Sequence, residues 1–197
     1  MRFVQRRPGA PARLGIFPGA FNPLTVAHIA LARAALASSV EEVLFILPET
    51  FPHKPYAGAS FQDRMEMLRV ALAGEPAFSL AVSQGGLFAE IAAECRQVYT
   101  GQVALSFLCG RDAAERFVNW DYGASGIPRG FGLLVAAREG EYNPPPEFPA
   151  AVARLRAGAE CIGVSATEVR RRIAAGEPWE YFVPEAIREL VRGIYRR

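Results

Sequence analysis

Val43-Leu44-Phe45-Ile46-Leu47 is an unbroken run of branched and aromatic residues with no polar residue in it. A strand with one wet face alternates polar and apolar residues, so a run without alternation implies a strand covered on both faces. Such strands belong to a parallel central sheet with helices on either side. Further segments fit the same scheme: Arg13 to Phe17, Phe78 to Ser83, Val103 to Cys109 and Phe131 to Ala137, with Cys161 to Val164 reading as a last short strand. Helical spacing fills the intervals. Val26 to Ala37 carries Ile29, Ala32 and Leu36 on one side. Ser60 caps a helix with Phe61, Met65, Leu68 and Leu72 as its stripe, and Leu87 to Tyr99 follows Gly85-Gly86. Arg64 and Arg69 fall off the stripe and read as solvated. Val169 to Ala174 and a final helix with Ile187, Leu190, Val191 and Ile194 complete the pattern. The expected fold is a Rossmann-like doubly wound α/β sheet in a single domain over residues 13–197, after a loose tail at 1–12.

Length and composition agree. At 197 residues and 51% hydrophobic content the chain suffices for one well-buried domain and is short for two. The net charge of +2 is scattered, which gives no reason to expect nucleic acid as a partner. No run reaches membrane-spanning length, and Met1 to Ala12 lacks the apolar core of a secretion signal. The cysteines, Cys95, Cys109 and Cys161, lie in apolar surroundings and read as reduced core residues, so a cytoplasmic setting is expected. A homo-oligomer stays open. Among the cations the only lysine is Lys54, in the Pro48 to Ala59 segment, whose prolines exclude helix and central strand.

Chemistry is expected where Gly15-Ile16-Phe17 runs into Pro18-Gly19-Ala20-Phe21-Asn22-Pro23-Leu24-Thr25-Val26-Ala27-His28. This is a strand, a tight turn and a helix start, with Gly19 able to let a ligand approach the backbone and either Asn22 or Thr25 as the cap. The free N–H groups and positive dipole end of the helix suit a phosphate. Thr25 and His28 share the first turn, so hydroxyl and imidazole can converge on one group. Taken alone, an ordinary strand-to-helix connection with a half-buried histidine explains this stretch about as well. A second anchor is Ser165-Ala166-Thr167-Glu168-Val169-Arg170, a capping box with two hydroxyls and, one turn on, a guanidinium. Gly110-Arg111-Asp112 ends the fourth strand, and Asp112 can cap a short helix from Ala113 to Val118.

The first stretch resembles the (H/T)xGH signature of the nucleotidyltransferase superfamily, preceded as in nicotinate-nucleotide adenylyltransferases by a G-T-F-[DN]-P element, here Gly19-Ala20-Phe21-Asn22-Pro23. Thr25 stands at the first His position and Ala27 replaces the Gly. Val164-Ser165-Ala166-Thr167 with Arg170 resembles the I-S-S-T-x-[IV]-R element of the same family. Pro52-His53-Lys54 resembles its P-H-K loop, Gly110-Arg111-Asp112 with Trp120 its G-x-D and Trp segment, and Phe182-Val183-Pro184 its closing element. The resemblance implies adenylyl transfer from ATP to nicotinate mononucleotide. It makes His28, Lys54 and Arg170 catalytic, and places ATP on Gly19, Phe21, Asn22, Thr25, Gly110, Asp112, Ser165 and Thr167. The acceptor falls to Trp120 and Gly85, with Mg2+ carried by ATP rather than by a protein site. The family's S-Y-T-x-x-T-L segment is replaced by Ser83-Gln84-Gly85-Gly86-Leu87-Phe88-Ala89. Nicotinamide mononucleotide, phosphopantetheine or a cytidylyl-accepting phosphate are therefore alternative substrates, and a nucleotide-binding sensor without turnover is the alternative from another class.

Overall fold

The computed structural model describes residues 1–50, 58–116, 131–136, 152–155, 158 and 161–196. In chain order these form β1 (Arg2–Gln5), β2 (Arg13–Pro18), α1 (Val26–Ser38), β3 (Glu42–Pro48), α2 (Phe61–Leu72), β4 (Phe78–Ser83), α3 (Phe88–Val98), β5 (Ala104–Gly110), α4 (Arg111–Arg116), β6 (Phe131–Ala136), β7 (Val152–Leu155), α5 (Ala166–Ala175) and α6 (Arg188–Tyr195). The strands make one sheet in the order β1-β4-β3-β2-β5-β6-β7. All neighbours pair in parallel except β1, which is antiparallel to β4. From β2 the chain steps outward to β3 and β4, then returns to the other side of β2 for β5, β6 and β7. The sheet is therefore doubly wound, and its switch point lies between β2 and β5.

Alternation along β3 divides the core. Val43, Phe45 and Leu47 pack with residues of α1, α2 and α6, whereas Leu44 and Ile46 face α3 and the inner residues of β5 and β6. Every residue of β3 is buried, as its unbroken apolar run requires. Glu42, fully buried, opens that strand, and its Oε1 accepts from Ser79 Oγ at 2.6 Å and from the Tyr99 hydroxyl at 2.6 Å. Those bonds tie α3 to the sheet at the end away from the strand C-termini. Gly15 sits where β2 passes Leu108 and Val40 so closely that a Cβ would lie 2.9 Å and 3.1 Å from them.

The structure corrects the sequence reading in several places. Arg2–Gln5, expected in a loose tail, is the antiparallel edge strand β1, fixed by Gln5 Nε2 donating to the carbonyls of Leu72 and Phe78, both at 3.2 Å. Val152–Leu155 is an edge strand that was not expected. Cys161 to Val164 is not a strand but a tight turn, in which Val164 N donates to Cys161 O at 3.2 Å and Gly163 takes φ +74°. Asp112 lies inside α4, which begins at Arg111, rather than capping it. No helix among the described residues is long and apolar enough to cross a membrane.

Trp179, 1% exposed, is the largest fully buried side chain among the described residues and packs where the segment before α6 meets the α1/α2 face. Trp179→Ala is expected to cost about 3–5 kcal/mol through lost burial and an unfilled cavity, read as a lower urea midpoint at unchanged slope.

Candidate active site

The C-terminal ends of β2, β5 and β6 open into a cavity of about 230 Å³ whose wall includes Gly19, Phe21, Ala27, His28, Phe88, Cys109, Gly110 and Cys161. It lies at the switch point, where open α/β sheets place their ligands. Thr25 is the N-cap of α1, extended at φ −119°, ψ 163°, and is fully buried. Its hydroxyl lies 2.7 Å from His28 Nδ1, so the two groups that share the first turn meet each other. The Thr25 N–H donates to the same Nδ1 at 3.0 Å. An Nδ1 that accepts a backbone N–H cannot carry a proton, so in the neutral ring the hydrogen sits on Nε2. Phe17 and Phe21 flank the imidazole, with ring centroids 5.9 Å and 5.3 Å away.

The loop between β2 and α1 is held in an unusual shape. Gly19 N still donates to Ile46 O at 3.1 Å, so its N–H extends the sheet and does not face a ligand. Phe21 takes φ +46°, a left-handed conformation that costs a non-glycine residue about 1 kcal/mol. Burial of its ring against Phe17 and Phe45 offsets that cost. The ring lies so close over Gly19 that a Cβ there would meet it at 2.9 Å.

The loop carbonyls are taken by guanidinium groups. Arg64 Nη1 donates to Ala20 O at 3.2 Å and its Nε to Ser60 O at 3.3 Å, with the residue 5% exposed. Arg64 is thus a buried clamp rather than the solvated residue its place off the stripe suggested. Arg170 Nη1 donates to Asn22 O, and its Nη2 lies 3.4 Å from Thr167 Oγ1. Asn22 Oδ1 in turn accepts from Ala59 N at 3.2 Å and from the Tyr195 hydroxyl. Arg64 and Tyr195 were not assigned to this region from the sequence; Arg64 stands next to an apolar stripe.

Ser165 caps α5 as expected, its Oγ accepting from Glu168 N at 3.1 Å. Ala27, Cys161 and Val164 form one small apolar cluster, which sets the start of α1 beside the turn leading into α5. The methyl of Ala27 therefore both lines the cavity and packs these two helix starts together. The guanidiniums of Arg171 and Arg172, three and four residues on along α5, hold the Glu168 carboxyl down at about 2. Burial pushes the Cys109 thiol up to about 12, so it lines the cavity as a neutral group.

The structure brings Gly19, Phe21, His28 and Gly110 to the cavity wall, with Asn22, Thr25 and Arg170 immediately behind it. Thr167 is exposed on the first turn of α5. Gly85 is not on the wall. It lies in the turn after β4, where Glu94 Oε1 accepts from Gln84 N at 3.1 Å and a Cβ on Gly85 would run into the Glu90 carboxylate at 2.2 Å. His53, Lys54 and Trp120 lie outside the described residues, and so does the Asp112 side chain. Among the described residues no three His, Cys, Asp or Glu side chains are grouped to hold a metal ion.

The cytidylyltransferase-like family model matches residues 16–172. A probable nicotinate-nucleotide adenylyltransferase of Gloeobacter violaceus is 34% identical, over 93% of this chain and 96% of its own length. Its counterpart in Thermus thermophilus is 32% identical, over 93% of this chain and 100% of its own. Among solved structures, the Plasmodium falciparum nicotinic acid mononucleotide adenylyltransferase complexed with NaAD superposes with a TM-score of 0.72 at 14% identity, over 92% of this chain and 95% of that one. The latter likeness is one of fold.

Two glycines of the wall are expected to respond differently to a methyl group. Gly19→Ala should lose about 1–3 kcal/mol, because a Cβ there would lie 2.9 Å from the Phe21 ring, which would have to give up part of its packing on Phe17 and Phe45. Gly110→Ala, where a Cβ meets nothing within 4 Å, should stay within about 0.5 kcal/mol of the parent. Chemical denaturation of both variants checks the ranking.

Proposed function

Because the chain belongs to the cytidylyltransferase-like family and, within it, to the nicotinate-nucleotide adenylyltransferases, we propose that it moves AMP from ATP to the phosphate of nicotinate mononucleotide, releasing pyrophosphate in a step of NAD biosynthesis. The observation that carries this reading is His28, whose Nδ1 is spent on Thr25 and whose ring lines the cavity at the switch point. With the hydrogen on Nε2, the ring can donate to a phosphate oxygen. A phosphate oxygen of the acceptor attacks the α-phosphorus in line, the bond from that phosphorus to the bridging oxygen breaks, and pyrophosphate leaves with its charge. No side chain need act as nucleophile, since positioning and charge stabilisation suffice for transfers of this type.

The residue roles follow the geometry. His28 meets the negative charge that develops at the transferring group. The first N–H groups of α1 and α5 have no partner within their helices and suit phosphate oxygens. Arg170, anchored through one N–H on Asn22 O, places the rest of its guanidinium beside the start of α5. Asn22 and Thr25 serve ATP through the shape they impose on loop and imidazole, and Ser165 and Thr167 through the start of α5. Lys54 supplies a compact point charge, Gly110 gives room for the nucleoside, and Asp112 and Trp120 keep the nucleotide and acceptor roles that the family resemblance implies, whereas Gly85 lies off the cavity wall. Magnesium would come with ATP as part of the substrate and would supply charge neutralisation for the pyrophosphate group. Three buried free cysteines support a reducing, cytoplasmic setting.

Pyrophosphate release from Mg-ATP is expected with nicotinate mononucleotide. Release only with nicotinamide mononucleotide or phosphopantetheine would replace the acceptor, and silence with retained ATP binding would favour a sensor. His28→Ala is expected to lower kcat by about 3 kcal/mol of transition-state stabilisation, roughly a hundredfold, with folding intact. Unchanged turnover in that variant would remove His28 from the mechanism.

A further inference from the structure

Tyr195 ends α6, 173 residues along the chain from Asn22, yet its hydroxyl donates to Asn22 Oδ1. Asn22 is 5% exposed and sits at the turning point of the loop between β2 and α1. Its side-chain oxygen also accepts from Ala59 N at 3.2 Å, and its carbonyl accepts from Arg170. The chain at Gly58 passes so close that a Cβ there would lie 3.0 Å from the Asn22 amide. Side chain and carbonyl of one residue are thus held from three separate parts of the fold, and the orientation of this residue sets the direction of the peptide that leads into α1. Of these holds, the Tyr195 hydroxyl is the one whose loss leaves a side chain of the same shape.

We propose that Tyr195 is a positioning residue for the adenylyl transfer, acting through Asn22 to fix the loop that delivers the α1 N-terminus and His28 to the nucleotide. The proposal rests on the reaction assigned above, but the loop contact stands independently of it. Burial raises the phenol well above its ordinary value, so it stays a donor throughout the working pH range. Removing it leaves Asn22 Oδ1 with the Ala59 N–H, so no buried acceptor is orphaned and the fold has no reason to weaken.

The test is Tyr195→Phe, which deletes one oxygen. Expected are a fall in kcat of about tenfold, KM values for ATP and acceptor within about twofold of the parent, and an unchanged melting temperature. Hydrogen exchange of the amides from Ala20 to Thr25 should rise about tenfold while the rest of the sheet keeps its protection. In an Asn22→Ala background the same substitution should add nothing. Unchanged kcat and unchanged loop exchange, a loss that tracks the melting temperature, or full additivity with Asn22→Ala would each overturn the proposal. Where Asn22→Ala does not fold, the single variant decides through its kcat, KM and exchange values. A parent protein silent with every acceptor would remove the transfer reaction alone, and loop exchange would still decide whether Tyr195 holds the loop.

Discussion

A backbone loop that presents N–H groups to an anion must send its carbonyls elsewhere, and a carbonyl turned inward without a partner is costly. Here the inward carbonyls of Ala20 and Asn22 are met by the guanidiniums of Arg64 and Arg170, which come from different helices. Positive charge behind the loop also strengthens the pull on an anion in front of it. Phe21 can therefore remain in a left-handed conformation that its own backbone disfavours, because charge on one side and aromatic burial on the other leave the loop no easier shape.

The sheet supplies the frame for that arrangement. Reversal of direction between β2 and β5 opens a crevice at their C-terminal ends, and the loop after β2 forms one lip of it. The opposite end of the sheet is closed by the Glu42, Ser79 and Tyr99 hydrogen bonds, so the polar groups at the two ends do different work. One end locks α3 and β4 to β3; the other opens into the cavity.

Much of this was legible in the residues. The central strands announced themselves because their runs lack alternation, and the two anchors, Gly19 to His28 and Ser165 to Arg170, were readable because capping and turn chemistry is local. Edge strands β1 and β7 were not, since a strand with a solvated edge needs no apolar run, and Arg2-Phe3-Val4-Gln5 looks like any polar segment. Cys161 to Val164 has strand composition, but Gly163 at positive φ turns it. Arg64 reads as solvated because its partner, a carbonyl 44 residues earlier, leaves no trace in helical periodicity. Thr25 is similar: spacing puts its hydroxyl and the imidazole on one turn but does not say that the hydroxyl meets Nδ1 at 2.7 Å.

The edge made by β1 carries a further consequence. Its pairing with β4 slips between Phe3 and Gln5, and arginines stand at positions 2, 6 and 7. An irregular, cationic rim is a poor template for a strand from another molecule, because an incoming copy would bring the same charges into register against it. On this side, a sheet so apolar at its centre is thereby guarded against adding a strand from another molecule, and that guard resides in the first few residues of the chain.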